Sequence, residues 1–168
     1  KHNNFYETIG SLETLYKNLE ADKRVQGHSS RIYAGGLAYS NDKTLGVSII
    51  GLDFKREAKV TNFNNRVSKG EIPVDGGKRV VVGKKVARIL KLKLESEIVL
   101  ISSGADGSIA NDIFYVSGII DSEGTDGDDF NIYLSIKDAQ NYLSLYNQVH
   151  EVAIKLEDIA YSDDFEKN

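Results

Sequence analysis

Apolar residues follow two periods along this chain. Leu12, Leu15, Tyr16 and Leu19 recur at helical spacing behind Ser11, which can cap a first turn, so an amphipathic helix is expected there. From residue 31 the pattern changes to that of strands. Ile32, Tyr33, Leu37 and Tyr39 are interrupted by Gly35-Gly36, a pair that predicts a bulge or a close backbone approach. A polar turn at residues 40–43 leads into an apolar run over 45–52, and a hairpin is the simplest account.

Residues 53–73 are polar, with scattered Val60, Phe63, Val67 and Ile72. A short helical turn is expected over 55–58 and loop thereafter, with Pro73 at a turn or an edge. Gly76-Gly77 marks a turn. Residues 79–82 read as a short buried strand. Gly83 opens a helix in which Val86, Ile89 and Leu90 share a face, and residues 97–102 form another strand. A Gly/Asp/Ser loop is expected over 103–111, a returning strand over 112–121 and an acidic, glycine-bearing loop over 121–129. Phe130, Ile132, Leu134 and Ile136 alternate with polar or amphipathic neighbours, which predicts a half-buried strand. Ser135 and Asp138 stand at capping-box spacing for a helix through about residue 145. Val152, Ile154 and Leu156 give a last strand. Strands outnumber helices and mix irregularly with them, so the fold class is α+β.

The chain has 168 residues, 40% hydrophobic and 27% charged, which suits one globular domain or two small subdomains sharing a core. Its formal net charge is −4, so clustered Lys and Arg for nucleic-acid backbones are missing and no nucleic-acid partner is expected. There is no cysteine, which excludes disulfides and Cys-ligated zinc. No apolar run reaches the roughly 18 residues of a membrane span. The chain starts at Lys1 and contains no methionine, which suggests a fragment of a longer polypeptide whose membrane segments lie outside it.

Motifs for chemistry fail one by one. His2, His28 and His150 lie far apart, without metal-ligand spacing, and are expected at the surface or at strand edges. Residues 77–85, GKRVVVGKK, resemble a phosphate loop only superficially. The intervening residues read as strand, and Lys85 stands where a hydroxyl must reach magnesium. Residues 121–129, DSEGTDGDD, put Thr125, Asp126 and Ile132 where an EF-hand loop needs a carboxylate, a glycine and a bidentate glutamate. A solvated hairpin loop is the better reading, with a freestanding ligand- or cation-binding module as the alternative. No nucleophile elbow or S-x-x-K motif occurs. The chain is therefore not expected to be an enzyme.

Three stretches in order resemble one family. They are RIYAGGLAYS with GVSIIGLDFKREAKVT (31–40 and 46–61), RVVVGKKVARILKLKLESEIVLIS (79–102), and FYVSGIID with IYLSIKDAQNYLSL (114–121 and 132–145), closing on VHEVAIKLED. Together they look like the periplasmic core domain of MacB-like ABC-transporter permeases, especially the lipoprotein-releasing LolC/LolE branch. The resemblance implies a βαβ-type porter-like portion built from both chain ends, 1–52 and 147–168, incomplete at the C-terminus. A strand-rich sabre-like subdomain, 53–146, would be inserted between them. It also implies a place on the periplasmic side of a bacterial inner membrane, anchored by transmembrane helices. No cofactor is implied in this domain, since ATP is used on a separate cytoplasmic subunit or domain. The implied partners are that ATPase, a second permease copy or paralogue, and a periplasmic carrier or adaptor. Lipoprotein-releasing relatives carry a long, proline-containing hook after the position of Ser102, where this chain has the short SGADGSIAND. On that loop the candidate partner-docking residues are Gly104, Asp106, Ser108, Ile109 and Asn111.

Overall fold

A computed structural model of the chain describes residues 12–121 and 126–157. Helix α1 (Leu12–Ala21) buries Leu19 against the body, while Leu12, Leu15 and Tyr16 are half-buried. The chain turns at Asp22 and enters β1 (Val25–Ser40), a strand that starts well before the expected residue 31. Its first part, Gly27-His28-Ser29-Ser30, is buried despite its polarity, because α1 and the next helix cover it. Asn41 and Asp42, both with positive φ (49° and 58°), make the two-residue turn into β2 (Lys43–Leu52). Positive φ at both central positions gives a hairpin turn that matches strand twist. The β1/β2 register runs without a bulge, so the expected bulge at Gly35-Gly36 is replaced by the other option, a close approach. A Cβ on Gly36 would lie 2.6 Å from the Ile101 carbonyl.

Asp53 caps α2 (Phe54–Val60), its carboxylate accepting from Arg56 N at 3.0 Å. A 3-10 turn (Phe63–Arg66) and β3 (Val67–Gly70) follow where loop was expected. Strand β4 (Arg79–Gly83) leads into α3 (Lys84–Ile89). Strands β5 (Glu97–Ser103) and β6 (Ile109–Ile120) form a second hairpin, then come β7 (Asn131–Ser135), α4 (Ile136–Tyr142) and β8 (Glu151–Leu156). Ser135 caps α4 with Asp138 as its partner: the Ser135 hydroxyl accepts from Asp138 N at 3.1 Å and donates to the Asp138 carboxylate at 2.9 Å.

Six of the strands close on themselves. Around the ring the order is β1, β2, β7, β4, β6, β5 and back to β1, with β2–β7 and β4–β6 parallel and the other pairs antiparallel. Strand β3 adds to β6, and β8 pairs the early half of β1. The two long hairpins are local; the remaining joints bring together residues far apart in sequence. Strands of the flanking segments and of the expected insertion thus hydrogen-bond into one sheet.

Two apolar clusters result. The larger packs Ile32, Ile49, Val80, Leu100, Phe114 and Leu134 with the faces of α3 and α4. The smaller packs Leu52, Phe54, Phe63, Val81, Ile120 and Tyr133. Strands β4 and β7 sit between them and are buried on both faces. This corrects the half-buried reading of residues 130–136: Tyr133 is 4% exposed, as dry as its alternating neighbours, and Phe130 is exposed.

Candidate functional site

Three places on the surface combine shape with chemistry, and each can be built from its residues. The first joins β1, α2 and β8. Arg31 donates to both oxygens of Glu57 (2.8 and 3.2 Å) and to Glu151 at 3.0 Å. Thr61 Oγ1 donates to Glu57 at 2.9 Å, and the Tyr33 hydroxyl donates to Glu151 at 3.2 Å. Burial disfavours the charge on both members of the Arg31–Glu57 pair. Their bidentate contact outweighs it and holds Glu57 below, and Arg31 above, the ordinary range. Beside them Arg66 pairs with Asp128, which also accepts from the Tyr133 hydroxyl. Burial, then that carboxylate, pushes the Tyr133 phenol upward. Arg31, Tyr33, Glu57, Thr61, Arg66 and Tyr133 line a cavity of about 260 Å³. Its cations face carboxylates already bonded to them, so the arrangement ties elements together and poises no acid, base or nucleophile.

The second place is a cleft of about 560 Å³ between α1 and α4, lined among others by Glu13, Tyr16, Ser30, Asp53, Gln140 and Val149. Tyr16 shares a hydrogen bond with Ser30 and stacks on His28, ring centroids 4.9 Å apart. His28 is 5% exposed, which corrects its expected surface place. Its Nε2 lies 2.7 Å from Arg56 and 3.6 Å from Glu20. Burial first, and the Arg56 charge second, lower its pKa below 6.5, against a smaller opposing pull from Glu20. The folded state therefore binds this proton less readily than the unfolded chain. Stability is complete above the unfolded value of 6.5 and falls as the pH drops through it. Thermal melts from neutral to mildly acidic pH should show the wild type losing more melting temperature than His28→Gln; parallel losses would contradict this. His150 is half-buried, its Nδ1 accepting from Tyr33 N at 3.0 Å.

The third place carries the sequence-derived docking residues. Gly104, Asp106 and Ser108 lie in the turn between β5 and β6, whereas Ile109 and Asn111 lie on β6 itself. The turn closes on itself. Asp106 Oδ1 accepts from Ser108 N at 3.0 Å and from its hydroxyl at 2.6 Å, while Gly104 N donates to the Ser108 carbonyl at 2.8 Å. The Ser108 hydroxyl, then its backbone N–H, hold the Asp106 carboxyl below the usual range. Ala105 N donates to the Leu143 carbonyl at 2.8 Å, which pins the turn to the end of α4. Ile109 is 81% exposed.

Ile109 does not stand alone. Inward residues Ala38, Leu100, Ala110 and Phe114 are buried, so the alternate positions of β1, β5 and β6 face solvent. One register row runs Thr44, Tyr39, Val99, Ile113 across β2, β1, β5 and β6, and the next runs Gly46, Leu37, Ile101, Asn111. Leu37, Tyr39, Ile109 and Ile113 are each more than 40% exposed. Sequence reasoning picked out Ile109 and Asn111 but missed this face, because its apolar residues come from three strands, β1, β5 and β6, and only the register aligns them.

The motifs set aside in the sequence are explained by packing. Gly83 faces the carbonyls of Asp128 and Asp129 so closely that a Cβ would collide with them, and Asp129 O accepts from Val86 N at 3.2 Å, so protein groups occupy the place of a phosphate. Of the acidic run, residues 122–125 lie outside the described residues. Asp121 pairs with Lys84, Asp128 with Arg66 and Asp129 with Lys85. No cluster of three or more metal-ligating side chains occurs among the described residues. No helix among them is long and apolar enough to cross a membrane.

No family model matches the chain, and no curated protein matches it in sequence. Solved structures do. It is similar to the extracellular domain of the noncanonic ABC-type transporter YknZ from Gram-positive bacteria, at 13% identity and a TM-score of 0.69, over 94% of this chain and 78% of that one. It is similar to the periplasmic region of MacB from Actinobacillus actinomycetemcomitans, at 12% identity and a TM-score of 0.65, over 90% of this chain and 67% of that one. A domain assigned to a permease of Porphyromonas gingivalis aligns at 11% identity and a TM-score of 0.52, over 88% of this chain and 65% of that one. At these identities the likeness is one of architecture, and the chain has the fold of the extracytoplasmic domains of MacB-like and YknZ ABC-transporter permeases.

Proposed function

We propose that this chain is the extracytoplasmic domain of a bacterial ABC-transporter permease, a non-catalytic body moved by ATP hydrolysis on a cytoplasmic subunit or domain. The observation that carries the reading is the fold, which aligns with two such domains over nine-tenths or more of this chain. The chemistry is consistent with it. The buried carboxyl groups, Glu57, Asp138 and Asp128, are each hydrogen-bonded to neighbouring side chains, as in a body built to transmit force.

In this reading the porter-like portion comprises 1–52 and 147–168 and the sabre-like portion 53–146. The cargo is a lipoprotein or another exported substrate. The partners are the cytoplasmic ATPase, a second permease copy or paralogue, and a periplasmic carrier or adaptor. Gly104, Asp106 and Ser108 form a stiff turn that presents Ile109 and Asn111 for docking. The test is the full-length reading frame. It should encode an apolar span of about 20 residues on each side of this segment. A frame without such spans would overturn the proposal.

A further inference from the structure

We propose that α1 is a pH-operated latch, docked on β1 while His28 is neutral and released when that ring takes up a proton. The latch is independent of the transporter reading, so either can fail without the other.

Four side chains build it. Tyr16 and Glu20 come from α1, His28 from β1 and Arg56 from α2. Within α1 only Leu19 is fully buried, so the helix leans on this cluster to stay in place. Arg56 is the bridge. Its Nη1 donates to Glu20 at 3.0 Å and lies 2.7 Å from His28 Nε2, and its guanidinium sits 5.0 Å from the centroid of the Tyr16 ring. Tyr16 in turn stacks on the His28 ring and bonds to Ser30.

This arrangement demands a neutral ring. A guanidinium has only hydrogens to give, so His28 Nε2 must accept and the one ring hydrogen sits on Nδ1. Nδ1 is buried and meets no hydrogen-bond partner among the described residues. A proton added at Nε2 therefore points at the guanidinium, and a second cation enters a place that is only 5% exposed. The surrounding charges do not offset this. Glu20 stands farther off at 3.6 Å, is 55% exposed and already accepts from Arg56. Asp53 is engaged at the start of α2, one oxygen accepting from Arg56 N and the other lying 3.4 Å from Arg56 Nε. Lys59 of α2 lies against the neighbouring Gly27. On β8 the residue paired with His28 is Ile154, and Lys155 pairs Gly27. Burial first and Arg56 second keep the ring from binding a proton as readily as free histidine does, against the pulls of Glu20 and Asp53.

Lifting α1 lets water reach the ring and lets Arg56 move away, so the undocked state binds the proton better and acid favours release. A helix of ten residues does not persist alone, so α1 unravels as it lifts. Leu12, Glu13 and Tyr16 form one wall of the cleft of about 560 Å³, and its floor includes Ser30. Release of α1 therefore opens that cleft.

Amide hydrogen exchange of the chain between about pH 7.5 and about pH 5, corrected for the chemistry of exchange itself, reads the latch. Glu20 stays charged over this range, because the hydrogen bond from Arg56 above all holds its carboxyl below 4.5. The amides of α1 should open more often as the pH falls through 6.5, by up to about tenfold per pH unit, the limit for one proton, while those of β4 stay protected. His28→Gln, whose side-chain oxygen can still accept from Arg56, should abolish this dependence. In the wild type the His28 ring should titrate below 6.5 by NMR. Amides of α1 that open no more often in acid, or that open only together with β4, overturn the latch, as does a His28→Gln chain that keeps the pH dependence. A His28 ring that titrates at or above 6.5 overturns it too, and that readout needs no variant to fold.

Discussion

Arg31→Met is expected to destabilise the fold by about 3–5 kcal/mol, the usual result of stranding one partner of a buried ion pair. Glu57 is the stranded group. Its side chain is 4% exposed, and two of its bonds come from Arg31. Glu151 is better placed to recover, being 36% exposed. In the wild type the carboxyl of Glu57 lies below its ordinary 4.5. Its share of stability is present above that value and is lost as the pH falls through the folded one. The variant should behave in the opposite sense. With no guanidinium beside it, buried Glu57 is most costly at neutral pH and is relieved by protonation, so the gap between variant and wild type narrows on acidification. Arg31→Met combined with Glu57→Leu should recover most of the loss, since an apolar replacement of both partners leaves no unpaired charge. Urea unfolding at two pH values reads all of this. A single variant within about 1 kcal/mol of wild type at neutral pH would show that the pair ties nothing together.

Phe114→Ala is expected to cost a similar amount, about 3–5 kcal/mol, for a different reason. Phe114 is 1% exposed, points into the larger core from β6 and meets Tyr142 edge to face, centroids 5.4 Å apart. Removing it empties a space bounded by strand backbone, which a closed ring cannot collapse to fill. Loss of the Tyr142 contact also loosens the end of α4, which pins the β5–β6 turn through Leu143. A melting temperature lower by roughly 10 °C is the expected scale for a domain of this size. Phe114→Leu, which keeps most of the volume, should lose much less. Equal losses from the two variants would mean that the space is not enclosed.

Much of the local structure was legible in the sequence. Asn41-Asp42 between two apolar runs gave a hairpin, Ser135 and Asp138 gave a cap, and Gly83 gave a helix start, because each depends on residues a few positions apart. What was not legible depends on distant neighbours. The strand pattern in the sequence starts only at residue 31, and the polar His28, Ser29 and Ser30 before it are buried strand because α1 and α2 cover them. Tyr133 reads as an outward residue of β7 until Phe63 is found packed edge-on against it, centroids 4.9 Å apart. Ile109 reads as a loop residue because its partner is Ser103 across a turn rather than an apolar neighbour in sequence. The closure of the ring, and with it the alignment of Leu37, Tyr39, Ile109 and Ile113 on one face, comes from strand order, which no local pattern encodes.

Topology across the membrane tests the central claim most directly. The chain contains no cysteine, and Val74 is 76% exposed on the segment between β3 and β4, so Val74→Cys provides one accessible thiol. In intact cells bearing the full-length polypeptide, freed of any other cysteine, a maleimide that cannot cross the inner membrane should label this thiol without lysis. Labelling only after the inner membrane is broken would place the domain in the cytoplasm and contradict the account.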